Sequence, residues 1–478
     1  MRELKKFARG AVWTVAICLC ATPLMGQQQG GEKPKPAARQ YSPALDTSDN
    51  QEDTAQDRQT VQPDDRPLSG VQNPTLGTPE MRHSYWVPGI QYGNTARSRS
   101  TNPAANAEWN TTSFLSGDMS LREAWSHSTL SANYSGGGFS STDPQQGNGQ
   151  YHQLAAAFEI DQRRWQALFV DQFSYLPQSA FGFGGTSGLS TPGITGSLAV
   201  PLPGLQSAYV PSQTILFVGG PRYSNSSAAQ LTYKISKRGS FTVAGVYGIL
   251  RFVDSGNINS DTEMFNAGYD YAITRKNSIG FTYRFSAYRY PGDPQALGDH
   301  VAQFEYGRKM TGRLTLKLGG GPEVTIFRVP INGSTQRISG SGSGSLIYAF
   351  SRSNLTLSYA HGVSSGSGVF TGSDADQVNT TWNRQLTRVW SGNINFEYAN
   401  NRQILTVSGI TSPSYDSWFA GAGLSRSLGR TANFALAYQA QIQNANVAVC
   451  GVPNCGTNYV MHQVFLSFQW HARPLVLR

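Results

Sequence analysis

The sequence predicts an all-β fold: a transmembrane, antiparallel, up-and-down β-barrel of about 16 strands, preceded by a signal peptide and a disordered N-terminal segment. Three observations lead there. From residue 127 onward, short segments alternate large apolar or aromatic residues with small or polar ones at period 2, the side-chain period of a strand. The connections between these segments alternate between short and long. The chain also holds 51 Gly, 22 Tyr and 23 Phe but only 14% charged residues, with a mean hydropathy of −0.36. Past residue 30 it has no run of about 18 apolar residues that would cross a bilayer as a helix.

At the N-terminus, Arg2, Lys5, Lys6 and Arg9 precede the apolar stretch "AVWTVAICLCATPLMG", the pattern of an export signal spanning residues 1–26. Cys18 and Cys20 lie inside it and leave with it. Its removal takes away four basic residues and one acid, so the net charge of +9 falls to +6. That balance is too mild and too evenly spread to mark a nucleic-acid partner. Residues 27–108 hold nine of the 24 prolines, much Gln and Asp, and no sustained periodicity. Such a segment buries too little apolar surface to order itself. Residues 109–126 read as a lead-in, periplasmic or luminal, to a barrel spanning 127–478.

The strands follow in order. Segments near Leu130 and Leu154 precede "RWQALFVDQFSY", which is apolar on both faces, as is "FTVAGVYGILRF" after a segment near Leu231. "FNAGYDYAIT" sets Phe265, Tyr269, Tyr271 and Ile273 against Asn266, Gly268 and Asp270. "NSIGFTYRFSAYRY" sets Ile279, Phe281, Tyr283 and Phe285 against Ser278, Gly280, Thr282 and Arg284. Weaker alternation starts near Phe304, Leu314, Leu346, Leu355, Val378 and Trp418. "NINFEYANN" and "NFALAYQAQI" are clear, and the closing "HQVFLSFQWHARPLVLR" aligns Val464, Leu466, Phe468 and Trp470. The short connections are "DQRR", "SKRG", "TRKN", "MTGR", "SRSN", "LTRV" and "LGRT". Longer ones fall near 136–149, 176–221, 254–260, 291–298, 328–336, 365–375, 400–416 and 444–458.

A soluble sandwich also alternates, but it closes both ends with similar turns and packs Val, Ile and Leu into a core. Here aromatics crowd the strand ends and the two ends differ strongly in loop length. In lipid, every backbone polar group must find its partner inside the protein, so a spanning sheet has to close. Over residues 127–478 the chain resembles the porin-like outer-membrane β-barrel proteins of Gram-negative bacteria. In that family the barrel assembly machinery reads an aromatic-rich last strand. Phe468 and Trp470 stand as its equivalent, although "HARPLVLR" continues past them. The resemblance implies the bacterial outer membrane, surrounding outer-membrane lipid, short turns facing the periplasm, and a homotrimer as one assembly open to such a barrel.

Function is read from the inner face. Sixteen strands are wide enough for an aqueous channel, and the expected lumen positions carry Glu159, Lys234, Asp270, Arg284, Glu305, Lys309, Lys317, Glu323 and Glu397. Charges of both signs suit a hydrated wall passing small polar solutes by diffusion. They equally suit a wall that is merely solvated and braced. The alternative at the same location is a gated carrier of apolar molecules resembling the long-chain fatty-acid transporters. An enzymatic barrel would have to use Asp299 and His300, with Asp293 nearby, in a long loop; a solvated pair explains them better. No cofactor is implied. His127, His152, His361 and His462 are scattered singly, against a metal cluster, and "GSGSGS" (340–345) has no following helix to make a phosphate loop.

Three further expectations follow. Cys450 and Cys455, in "VCGVPNCG", should form a loop-stapling disulfide in an oxidising compartment. The clusters Gly319–Gly321, Gly340–Ser345 and His361–Gly368 should form one patch on adjacent strands. Finally, no charge occurs from Gln172 to Pro221, yet residues 181–217 carry many apolar side chains, from Phe181 to Phe217. An uncharged apolar loop of this length should fold back on the barrel and narrow it.

Overall fold

The computed structural model describes residues 84–100, 108–144, 147–176, 221–253, 256–331, 333–404, 412–446 and 458–476. The first strands are β1 (Tyr85–Ser100), β2 (Glu108–Ala124), β3 (Ser128–Ser141), β4 (Gly149–Asp161), β5 (Trp165–Leu176) and β6 (Arg222–Lys234). Next come β7 (Gly239–Phe252), β8 (Ser260–Ala272), β9 (Asn277–Arg289), β10 (Ala296–Lys309), β11 (Leu314–Ile331) and β12 (Ser334–Ala349). The chain continues through β13 (Ser353–Ser364), β14 (Ser373–Gln385), β15 (Trp390–Gln403), β16 (Ser414–Leu428), β17 (Ala432–Ala445) and β18 (Tyr459–His471). Each pairs antiparallel with its chain neighbours, and β18 returns to β1 from Gly89↔His471 to Ser100↔Val460. The sheet is therefore a closed barrel of 18 strands. A two-residue β19 (Leu475–Val476) extends the closure against Tyr85 and Trp86.

Its polarity is inside-out. On β18, Val464, Leu466, Phe468 and Trp470 are exposed on the outer surface, while Gln463, Ser467, Gln469 and His471 are buried within. On β17, Leu436, Tyr438 and Ile442 face out and Gln439, Gln441 and Gln443 face in. Exposed Trp125, Trp165, Tyr233, Tyr271 and Trp470 gather toward the short-turn rim, as aromatics do at a bilayer interface. Water would not favour this arrangement; hydrocarbon does. The molecule is a closed barrel with an apolar outer face and a polar inner one, the arrangement of a membrane-spanning barrel.

All sixteen expected segments are strands, β3 to β18, but the count of about sixteen is too low. β1 and β2 come from residues assigned to the disordered segment and the lead-in. Their alternation is real but faint. Outward Trp86, Ile90, Tyr92, Trp109 and Leu115 are interrupted by Pro88, Asn94, Thr111, Ser113 and Gly117. The ladder, rather than an apolar stripe, defines them. The expected long loop at 328–336 is also absent. β11 and β12 continue almost to their tip, where Gly333 takes φ +78°, and a register shift between Ile326 and Ile331 absorbs the irregular sequence. Residues 1–83, the segment 181–217 and both Cys450 and Cys455 lie outside the described residues.

Four of the short turns share one device. Thr274 Oγ1 accepts from the backbone N–H groups of Lys276 and Asn277 at 3.2 and 3.0 Å. Ser236 repeats this toward Arg238 and Gly239, Thr311 toward Arg313 and Leu314, and Thr387 toward Val389 and Trp390. A hydroxyl that satisfies two turn donors fixes a tight reversal. Thr274→Ala and Thr311→Ala should each lower stability by about 0.5–1.5 kcal/mol. The shift of the urea midpoint in detergent measures this, and an unmoved midpoint would show the hydroxyls to be idle.

At the closing seam, two glycines of β1 let side chains meet over its back. Asp118 of β2 and His471 of β18 meet at 3.1 Å above Gly89, both almost fully buried. Phe114 and Phe465 stack above Gly93, with centroids 5.8 Å apart and planes inclined by 10°. A Cβ at Gly93 would overlap the Phe114 ring.

Candidate functional site

Strand alternation turns all nine expected lumen residues inward. Glu159, Lys234 and Glu397 sit apart on β4, β6 and β15, whereas the other six share the contiguous wall β8–β11. There Asp270 and Glu305 flank Gly280, whose missing side chain leaves them room, and Thr282 donates to Glu305 at 2.6 Å. Glu159 accepts from Gln166.

Asp299 belongs with this wall, and not in the long loop that its sequence context predicts for it and His300. Both lie in β10, so they point to opposite faces. Asp299 is fully buried inside, accepts from Thr325 at 3.2 Å and faces Arg284 at 3.9 Å. His300 faces out, bonded to Tyr283 at 2.7 Å. The two cannot act as an acid–base pair on one substrate. Among the described residues, no cluster of three or more His, Cys, Asp or Glu side chains could hold a metal ion.

The feature that organises the lumen is the tip of the β13–β14 hairpin. β12 and β13 pair only up to Gly342↔His361, while β13 and β14 stay paired to Ser364↔Ser373. Beyond the break the hairpin leaves the wall and tucks inside. Its own alternation proves it: Val363 follows the exposed series Leu357 and Tyr359, yet it is buried among Tyr288, Leu297 and Phe327 from the inner faces of β9, β10 and β11. Side chains replace the lost ladder bonds. Glu323 accepts the Val363 N–H at 3.2 Å and the Ser339 hydroxyl at 2.9 Å, and Ser341 donates to the His361 carbonyl at 3.1 Å. Arg337 pairs with Asp374 at 2.6 Å.

The connecting loop, residues 365–372, is anchored on several sides. Tyr288 and Tyr290 donate to the carbonyls of Val363 and Ser365 at 3.2 and 3.3 Å. Ile258 N–H donates to Gly368 at 2.8 Å, and Phe370 packs on Tyr415 with centroids 5.4 Å apart. Its turns need left-handed backbone at Gly366, Ser367, Gly368 and Gly372 (φ +84°, +57°, +83° and +97°). A Cβ at Gly368 or Gly372 would collide with Phe252 or Leu297. This is why the stretch reads SSGSGVFTG.

The Gly/Ser clusters do lie on adjacent strands, with Gly319↔Ser343, Gly321↔Ser341 and Gly342↔His361. The third of them runs into the in-folded tip. Phe468 and Trp470 face outward and pair with Tyr92 and Ile90 of β1.

No protein-family model and no curated protein matches the chain. Among solved structures, the outer membrane protein opdK of Pseudomonas aeruginosa is similar at 9% identity, covering 81% of this chain and 99% of that one, with a TM-score of 0.41. OpdQ of the same organism is similar at 10% identity, over 82% and 98%, with a TM-score of 0.41. OccAB1 of Acinetobacter baumannii is similar at 9%, over 86% and 99%, with a TM-score of 0.40. Likeness at this level transfers nothing about what the present barrel carries.

Proposed function

We propose that the chain is a bacterial outer-membrane channel for passive diffusion of small polar solutes, with its short turns facing the periplasm and the in-folded β13–β14 tip setting its narrowest passage. The observation that supports this most is the tip itself. A hairpin drawn off the wall into the lumen narrows a barrel. The inward Ser, Thr, Gln and Asn positions and the mixed charges of β8–β11 supply hydrogen-bonding partners to a hydrated solute and a field across the passage. Purified protein reconstituted in planar bilayers should give discrete conductance steps, with a reversal potential under a salt gradient reporting selectivity. Barrels that insert but do not conduct would end this reading.

The apolar cluster of Tyr288, Tyr290, Leu297, Phe327 and Val363 beside the tip favours a second reading, a gated carrier of apolar molecules. Liposome uptake of a fatty acid without ion conductance would select it.

A further inference from the structure

Four of the chain's seven histidines occupy equivalent places on the outside of the barrel. His152, His300 and His462 lie near the starts of β4, β10 and β18, and His361 near the end of β13, all toward the long-connection rim. Three have the same partner in the same geometry. Tyr134, Tyr283 and Tyr438 place their hydroxyls 2.9, 2.7 and 2.8 Å from Nδ1 of His152, His300 and His462. In each case the tyrosine sits on the neighbouring strand, two residues nearer mid-membrane: His152 faces Gly136, His300 faces Phe285 and His462 faces Ala440. At the fourth, Asp376 stands between the pair, 2.8 Å from His361 Nδ1 and 2.8 Å from the Tyr359 hydroxyl.

A phenol is a far stronger donor than a neutral imidazole is, so a tyrosine hydroxyl on Nδ1 leaves the ring proton on Nε2. That N–H then points away from the wall. In hydrocarbon an unpaired donor is costly, so the ring needs acceptors at this depth. Beside His152 the surface opens into a groove floored by Gly136, Gly138 and Gly149 and walled by Tyr134, Gln150 and Tyr175. Above the belt the outer face becomes charged: Arg251 pairs with Asp261, Arg289 with Glu263, and Arg402 lies 4.0 Å from Asp376. The histidines therefore mark the level where apolar wall gives way to ionic surface.

We propose that this histidine belt is a lipid-binding surface, in which the Nε2–H of His152, His300 and His462 each donates to a phosphate oxygen of a surrounding bilayer lipid and so fixes the depth of the barrel. Its complementarity is that of an oriented donor for an anionic acceptor.

Native mass spectrometry of the full-length protein in detergent, titrated with dioleoyl phosphatidylglycerol, tests this. The His→Phe replacements keep each ring and remove its donor. Each of His152→Phe, His300→Phe and His462→Phe should weaken lipid binding about threefold, and the variant combining all three more than tenfold. Tyr134→Phe, which frees the His152 tautomer, should weaken it about twofold. Dioleoylglycerol, which lacks phosphate, should bind wild type and variants alike, and inorganic phosphate should not displace the lipid. Equal lipid affinity in the folded single variants, equal binding of dioleoylglycerol and phosphatidylglycerol to wild type, or displacement by inorganic phosphate would each overturn the proposal. If the triple variant fails to fold, the single variants decide it.

Discussion

Replacing residues 365–372 by Asn-Gly should raise single-channel conductance about threefold or more, because it removes the one described loop that crosses the lumen. The graft is conservative. Ser364 and Ser373 already face each other, with hydroxyls 2.7 Å apart, so a two-residue turn closes the hairpin at the point where its ladder ends. What disappears is the set of contacts holding the tip inside: the Tyr290 bond to Ser365, the Ile258 bond to Gly368 and the packing of Phe370 on Tyr415. The shortened hairpin can then return toward β12. A smaller change tests one anchor alone: Glu323 is fully buried and accepts the Val363 N–H and the Ser339 hydroxyl, so Glu323→Ala should raise the step size in the same direction but by less. A loop deletion that inserts normally and conducts like the parent would place the constriction elsewhere.

The second large effect belongs to the seam. Gly93→Val forces a branched side chain into the Phe114 ring and should destabilise the barrel by about 1–3 kcal/mol. Phe465→Ala removes the other half of the stack and should destabilise it by about 3 kcal/mol. Gly245→Val provides the control: this glycine lies on the outer face of β7 with nothing within 4 Å of an added Cβ, so the barrel should tolerate it. The temperature at which the folded band converts to the unfolded band on a gel compares all three. If Gly93→Val and Gly245→Val melt together, the glycine at the seam is not there to admit the aromatic pair.

These two regions are also where sequence and structure part company. The strands β3–β18 are legible because most of them carry large residues at every second position over at least part of their length, and a lipid-facing surface demands that pattern. The short turns are legible for a local reason too, since a Ser or Thr hydroxyl caps the reversal in four of them. Parity alone turns Glu159, Arg284 and Glu397 inward. It does not tell which inward residues meet: Asp270 and Glu305 are neighbours only because β8 and β10 flank Gly280. β1 stays hidden because the residues that close the ring are glycines chosen for what lies across them. Asp299 reads as a loop residue because the apolar stripe of β10 becomes clear only at Phe304. Before it, the outer face carries small Ala302 and polar His300, which hide the start of the strand. The tip is the deepest miss. Val363 carries the same signal as Leu357 and Tyr359, and only the break between β12 and β13 reverses the side of the wall it occupies.

The pairing of β1 with β18 also fixes an order of events. Every other ladder joins strands that one connection separates, such as Phe281↔Phe304, whereas the seam joins Ile90 to Trp470. If the chain between them were free, the difference in loop-closure entropy would amount to about 2–3 kcal/mol. The seam therefore has by far the highest contact order in the molecule and gains most from waiting until the intervening hairpins have curved the sheet and brought its edges together. Until that moment β1 and β18 both present open edges, the form of sheet most prone to pair with another chain. An unfinished barrel is thus vulnerable along a single line, and the Asp118–His471 and Phe114–Phe465 contacts exist only once that line is shut.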